Sequence, residues 1–152
     1  MTVQPGYAPT ASGTTFKHMV EAVCHEGMYP SRERAEEVIH AVLVGLGTQI
    51  SGRVSVELAA YLPFEAAVVF TAPAPESSPL TGWEFVKDLA GRTSGTPGTA
   101  RWDAGSVLRV MNRLVQPDLI DRILGELPPG YSLLFGRSEL LQAVPQQGRR
   151  VP

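Results

Sequence analysis

The sequence predicts an all-α protein: two tandem modules of three to four helices each, packed together and flanked by flexible tails. Three observations carry this. Apolar residues recur at helical spacing through both halves of the chain. The halves share one apolar pattern at an offset of 65 positions. Proline-rich stretches separate and flank them.

The expected limits are residues 1–15 as an N-terminal tail, 16–70 as module 1, 71–82 as a linker, 83–141 as module 2 and 142–152 as a C-terminal tail. The first fifteen residues carry no charged side chain and are rich in Pro, Gly, Ser and Thr. The stretch Thr71–Leu80 holds three prolines and two serines. Such composition lacks a buriable face and cannot continue a helix, so the middle stretch reads as a semi-rigid extended connector.

In module 1, Phe16, Met19, Val20 and Val23 lie on one helical face. Thr14 or Thr15 suits the N-cap, and Gly27 suits the stop. Ser31 opens the next helix, with Glu33, Glu36 and Glu37 near its positive end. Ala35, Val38, Ile39, Val42, Leu43 and Leu46 form its inner face, and it should end near Gly47 or Thr48. A shorter helix follows from Arg53 to Leu62, closed by Pro63.

Module 2 repeats the order. Trp83 to Ala90 is the first helix, Gly91–Thr99 a loose loop, and Ala100–Leu114 the long helix. Pro117 suits a first helical turn, where its missing N–H is no loss. Residues 66–70 and 131–135 are too short for periodicity to choose between helix and strand. The repeat itself rests on paired positions. Ala35, Val42, Leu43, Leu62-Pro63 and Phe70 recur as Ala100, Val107, Leu108, Leu127-Pro128 and Phe135. Three helices in so few residues make a marginal core, and pairing two modules would bury each other's spare apolar faces.

The run Arg34-Ala35-Glu36-Glu37…Ala41-Val42-Leu43…Leu46, then Leu58…Leu62-Pro63, returns as Ala100…Val107-Leu108…Leu114 and Leu127-Pro128-Pro129-Gly130-Tyr131…Leu134-Phe135-Gly136. This resembles the bacterial DUF2267 family of tandem helical repeats across most of residues 16–137. Module 1 departs from the pattern after Pro63, where Phe64-Glu65-Ala66 stands in place of Pro-Gly-Tyr. The resemblance implies the fold and no activity.

Composition narrows the function. The 152 residues carry a formal net charge of −2, with a pI of about 5.9, which does not suit a nucleic-acid module. A single cysteine excludes a disulfide scaffold. No apolar run is long enough for a membrane span. A cytoplasmic protein without a cofactor is the expectation.

Chemistry-bearing residues are sparse. His18, Glu21 and His25 share the face opposite the core stripe, at spacings that would let two of them chelate a metal. A solvated polar face is the simpler reading, and no other metal or catalytic motif supports the metal reading. A helix–turn–helix reading would use the helices around Gly47–Gly52, yet Arg53 stands beside Glu57, and the matching helix of module 2 opens Gln116-Pro117-Asp118. A helix that reads DNA should not lead with carboxylates.

Arg101, Arg109 and Arg113 line one side of the long helix of module 2. They are either a solvated face or a docking surface for an acidic partner. Val44, Val56, Trp83 and Trp102 should point away from their own module's core, toward the other module or toward a partner. The function expected is therefore that of a non-catalytic adaptor working by protein–protein contact, with self-association compatible with it. A nucleic-acid-associated protein and a metal-dependent enzyme are the alternatives.

Overall fold

The computed structural model describes residues 14–76 and 78–137. These form eight α-helices and no strand. They are α1 (Phe16–Gly27), α2 (Arg32–Gln49), α3 (Arg53–Tyr61), α4 (Phe64–Thr71), α5 (Gly82–Thr93), α6 (Pro97–Leu114), α7 (Pro117–Glu126) and α8 (Tyr131–Leu134). The two stretches whose state periodicity left open are thus helical, as α4 and α8.

The helix ends follow their capping chemistry. Thr15 and Ser31 accept from the backbone N–H groups of His18 and Arg34, which places the N-caps of α1 and α2. Gly27 is not the residue that stops α1. It is the last helical residue, and Met28 adopts the left-handed conformation beyond it, at φ 55°. Gly27 is needed for closeness instead: a Cβ there would lie 2.1 Å from the Tyr29 ring and 2.8 Å from Ser106 Oγ on α6. The long helix α2 runs one residue past the expected end, to Gln49.

The Gly91–Thr99 stretch is mostly helical, contrary to its loop-like composition. α5 continues to Thr93, and α6 begins at Pro97 behind a capping box between Thr96 and Thr99. Proline at the first helical position and threonine at the cap favour a helix start. α5 begins at Gly82, one residue before the expected boundary, because Thr81 and Glu84 form a reciprocal capping box.

Helix order corresponds between the halves, and so do the lengths of the first two helices of each, while α4 has 8 residues and α8 only 4. α1 and α5 have 12 residues each, and α2 and α6 have 18 each. The paired positions Val42/Val107, Leu43/Leu108, Leu46/Met111, Ile50/Val115, Leu58/Ile123 and Phe70/Phe135 are all buried in one continuous core. Ile50 and Val115 even close their helices alike, each donating its N–H to the carbonyl four residues back.

Within the halves α2 packs on α1 and α4, and α6 packs on α5 and α8. Across them, α1 packs on α6, α2 on α5 and α6, and α3 on α7. Exchanging each helix for its counterpart leaves this set of cross-contacts unchanged, as a local two-fold axis would. Glu57 and Arg122, exactly 65 positions apart, form a two-pronged ion pair between α3 and α7.

The connector between α4 and α5 is tied down at several points. Glu76 N–H donates to the Thr48 carbonyl at 2.8 Å. Leu80 N–H donates to Gln49 Oε1 at 2.8 Å, and Tyr131 Oη donates to the Leu80 carbonyl at 2.9 Å. It therefore belongs to the fold of both halves. The expected tails fall outside the described residues, except Thr14 and Thr15, and so do positions 138–141 of the expected second module.

Candidate functional site

The contact between α1 and α6 is polar at its margin, and it accounts for two of the three arginines singled out in the sequence. Arg109 Nε donates to Glu26 Oε2 at 3.0 Å, and Arg113 Nη1 donates to Glu26 Oε1 at 3.2 Å. The Arg109 hydrogen bond, aided by Arg113 and opposed by desolvation, holds the Glu26 carboxyl below the usual carboxylate range. Arg109 and Arg113 are therefore committed to the chain's own Glu26. The expected stripe of three arginines facing an acidic partner is reduced to Arg101, which carries no ion pair among the described residues.

Deeper in the same contact lies a network with no local sequence signal. Tyr29 Oη donates to Asp103 Oδ1 at 2.6 Å. Asp103 is only 8% exposed, and Arg34 Nη2 stands 4.0 Å from its other oxygen. Ser106 Oγ donates to the Trp102 carbonyl at 2.8 Å, and Trp102 Nε1 donates to the Gly27 carbonyl at 2.9 Å. Burial, and then the Asp103 hydrogen bond, push the Tyr29 hydroxyl well above its ordinary pKa. This network locks α1 and the turn after it to α6.

A large open hollow of about 820 Å³ lies beside α1, lined by Glu21, Cys24, His25, Glu26, Met28, Tyr29 and Arg32. Its carboxylates are both paired, Glu26 as above and Glu21 with Arg32 at 3.0 Å. The Cys24 thiol is directed at the carbonyls of Tyr29 and Ser31. Glu21 and His25 thus line one hollow, but with His18 they make no metal cluster. No group of three His, Cys, Asp or Glu side chains could hold an ion among the described residues.

A second surface adjoins this contact along α6 and shares Trp102 and Arg109 with it. A hollow of about 340 Å³ is lined by Gly98, Arg101, Trp102, Gly105, Arg109, Leu133 and Leu134. A second, of about 160 Å³, is lined by Gly82, Trp83, Val86, Arg101, Gly130, Leu133 and Leu134. The two share Arg101, Leu133 and Leu134, so they form one groove with walls from α5, α6 and α8. Trp83, Trp102 and Leu133 are 56%, 49% and 46% exposed along it. Large apolar side chains at this exposure, grouped around a cation, are the composition of an interaction surface.

The groove is held in shape by the backbone. Gly82 and Gly130 approach so closely that a Cβ on Gly82 would lie 2.5 Å from the Gly130 carbonyl carbon. Gly82 N–H donates to the Pro129 carbonyl at 2.8 Å, and Gly130 takes φ 105°, which suits glycine alone. The Tyr131 ring packs on Phe85 at 5.5 Å between centroids, and burial raises its hydroxyl pKa well above the ordinary range. Trp102 is oriented by its bond to Gly27. Lys87 Nζ stands 5.7 Å from the centre of the Trp83 ring, within reach of a cation–π attraction.

Of the side chains proposed from sequence, Trp83, Arg101 and Trp102 are brought together here. Val44 is partly buried on α2 and is absent from the groove. Val56 is exposed on α3 outside it. The would-be recognition helices of the helix–turn–helix reading, α3 and its counterpart α7, pack on one another, with Arg122 held by Glu57 and Arg53 standing 3.9 Å from Glu57. Leu133 was missed. The sequence shows it only as an apolar position matching Val68, with nothing to mark it as exposed. Among the described residues no helix is long and apolar enough to cross a membrane.

The family model described as "Uncharacterized conserved protein (DUF2267)" matches residues 16–134. No curated protein matches the chain significantly.

Proposed function

The chain belongs to the DUF2267 family, whose description assigns no activity, and on that premise we propose that it is a non-catalytic adaptor that docks a protein partner in the groove between α5, α6 and α8. One observation carries this reading. Both tryptophans of the chain stand half exposed in a single groove around an arginine that no carboxylate of the described residues pairs with. Trp and Arg are the side chains that most often dominate binding energy at protein interfaces. The Gly82–Gly130 contact and the Gly82–Pro129 hydrogen bond shape the groove without a partner, which lowers the cost of ordering it on binding. A cytoplasmic setting is part of the same proposal.

Affinity capture with the full chain tests it. The wild-type chain should retain a specific protein that Trp83→Ala and Leu133→Ser both release, while Val56→Ser, outside the groove, keeps it. A retained protein indifferent to Trp83 and Leu133 but lost with Val56→Ser would place docking elsewhere and refute the proposal.

A further inference from the structure

We infer that the groove takes a peptide segment of a partner protein in which a carboxylate is flanked by apolar side chains, the carboxylate meeting Arg101 and the apolar groups lying between Trp83 and Trp102 over Leu133. This rests on the docking reading above and adds the chemistry of the occupant.

Charge complementarity is the argument. The linings of the two hollows contain two arginines and no carboxylate. Arg109 already donates to Glu26, which leaves Arg101 as the groove's uncommitted cation. Arg101 lines both hollows, so a group bound to it sits where they join. Lys87, over the Trp83 ring, adds positive charge at one end. An arginine fork matches a carboxylate in two-pronged geometry and is less costly to desolvate than lysine.

The apolar half of the recognition follows from the walls. Trp83 on α5, Trp102 on α6 and Leu133 on α8 offer exposed aromatic and aliphatic faces around Arg101. Gly98, exposed beside Arg101, contributes no side chain to the surface and leaves the backbone open there. The corresponding face of the first half would not serve, because Glu36 occupies the position equivalent to Arg101. The charge at this position is therefore opposite in the two halves, and only the second is fitted to an acidic segment.

The test is selection from a display library of random 12-residue peptides on the immobilised full chain, with Arg101→Glu and Trp83→Ala panned in parallel. Both substitutions fall on exposed side chains and leave the core intact. Peptides enriched on the wild type should carry Asp or Glu beside Leu, Ile, Phe or Trp. Synthetic versions should bind Arg101→Glu roughly tenfold or more weakly, the loss expected for a charged hydrogen bond. Changing the peptide's Glu to Gln should cost as much on the wild type and little on Arg101→Glu.

Enriched apolar peptides without a carboxylate, bound equally by Arg101→Glu but lost with Trp83→Ala, would overturn this inference and leave the docking proposal standing. Failure to enrich any peptide over both variants would overturn both. Self-association of the chain in sedimentation, abolished by Arg101→Glu, would assign the groove to a second copy and equally overturn the inference.

Discussion

Tyr29→Phe removes one hydroxyl and tests whether the contact between α1 and α6 holds the halves together. The hydroxyl donates to Asp103 at 2.6 Å, and Asp103 is nearly inaccessible to water. A hydrogen bond to a charged acceptor contributes about 1.5–3 kcal/mol, and the variant leaves the carboxylate with a missing donor. Arg34, at 4.0 Å from the other oxygen, offsets part of that loss, so about 2 kcal/mol is expected. In a domain of this size that lowers Tm by roughly 4–8 °C. Urea unfolding of the wild type, Tyr29→Phe, Asp103→Asn and the double variant gives the coupling between the two side chains, expected to exceed about 1 kcal/mol. The same hydroxyl predicts an alkaline effect. Its folded-state pKa is raised above the ordinary 10.0, so its contribution is complete below pH 10.0 and is lost as pH rises toward the folded-state value. Tyr29→Phe should therefore lose less stability above pH 10.0 than the wild type does. A variant within about 0.5 kcal/mol of the wild type, or a coupling that small, would refute the reasoning.

Three further outcomes follow from the same geometry. Gly82→Ala should destabilise by about 1–3 kcal/mol in thermal unfolding, because the new methyl meets Gly130 backbone and not a flexible side chain. Thr81→Ala should cost about 1 kcal/mol by removing the capping box of α5, a loss that Thr81→Ser should largely restore. Glu26 has a lowered carboxyl pKa, so its pairing with Arg109 and Arg113 supports the fold at neutral pH. That support should be lost as pH falls through the lowered value, below the ordinary 4.5. Glu26→Gln should flatten that part of the acid unfolding profile while lowering stability at neutral pH.

Much of the fold was legible because helical periodicity and caps are local. Met19, Val20, Val42, Leu43, Leu108 and Met111 face the core as their spacing requires. Ser31, Thr15 and Pro117 mark helix starts where their chemistry puts them. The errors have equally local causes. Gly27 looked like a stop because glycine is common there, while tertiary closeness to Ser106 is what demands it. The Gly- and Thr-rich run after Ala90 looked like a loop because its composition hid the Thr96–Thr99 cap.

The site was only partly legible. Trp83, Arg101 and Trp102 stood out because aromatic and basic side chains away from the core stripe invite the question of what covers them. Their convergence was not readable, since it depends on α8 folding back so that Leu133 completes the groove. Nor could spacing show that Arg109 and Arg113 would be claimed by Glu26, 83 and 87 residues away. The Tyr29–Asp103 bond, across 74 residues, joins the turn after α1 to α6 and leaves no trace in the helical pattern.

The chain's two indoles both line the proposed docking surface, so intrinsic fluorescence reads its occupancy without a label. On titration with the captured partner, emission should shift to shorter wavelength and resist acrylamide quenching as Trp83 and Trp102 lose water. Saturable binding that leaves emission and quenching unchanged would show the partner seated elsewhere.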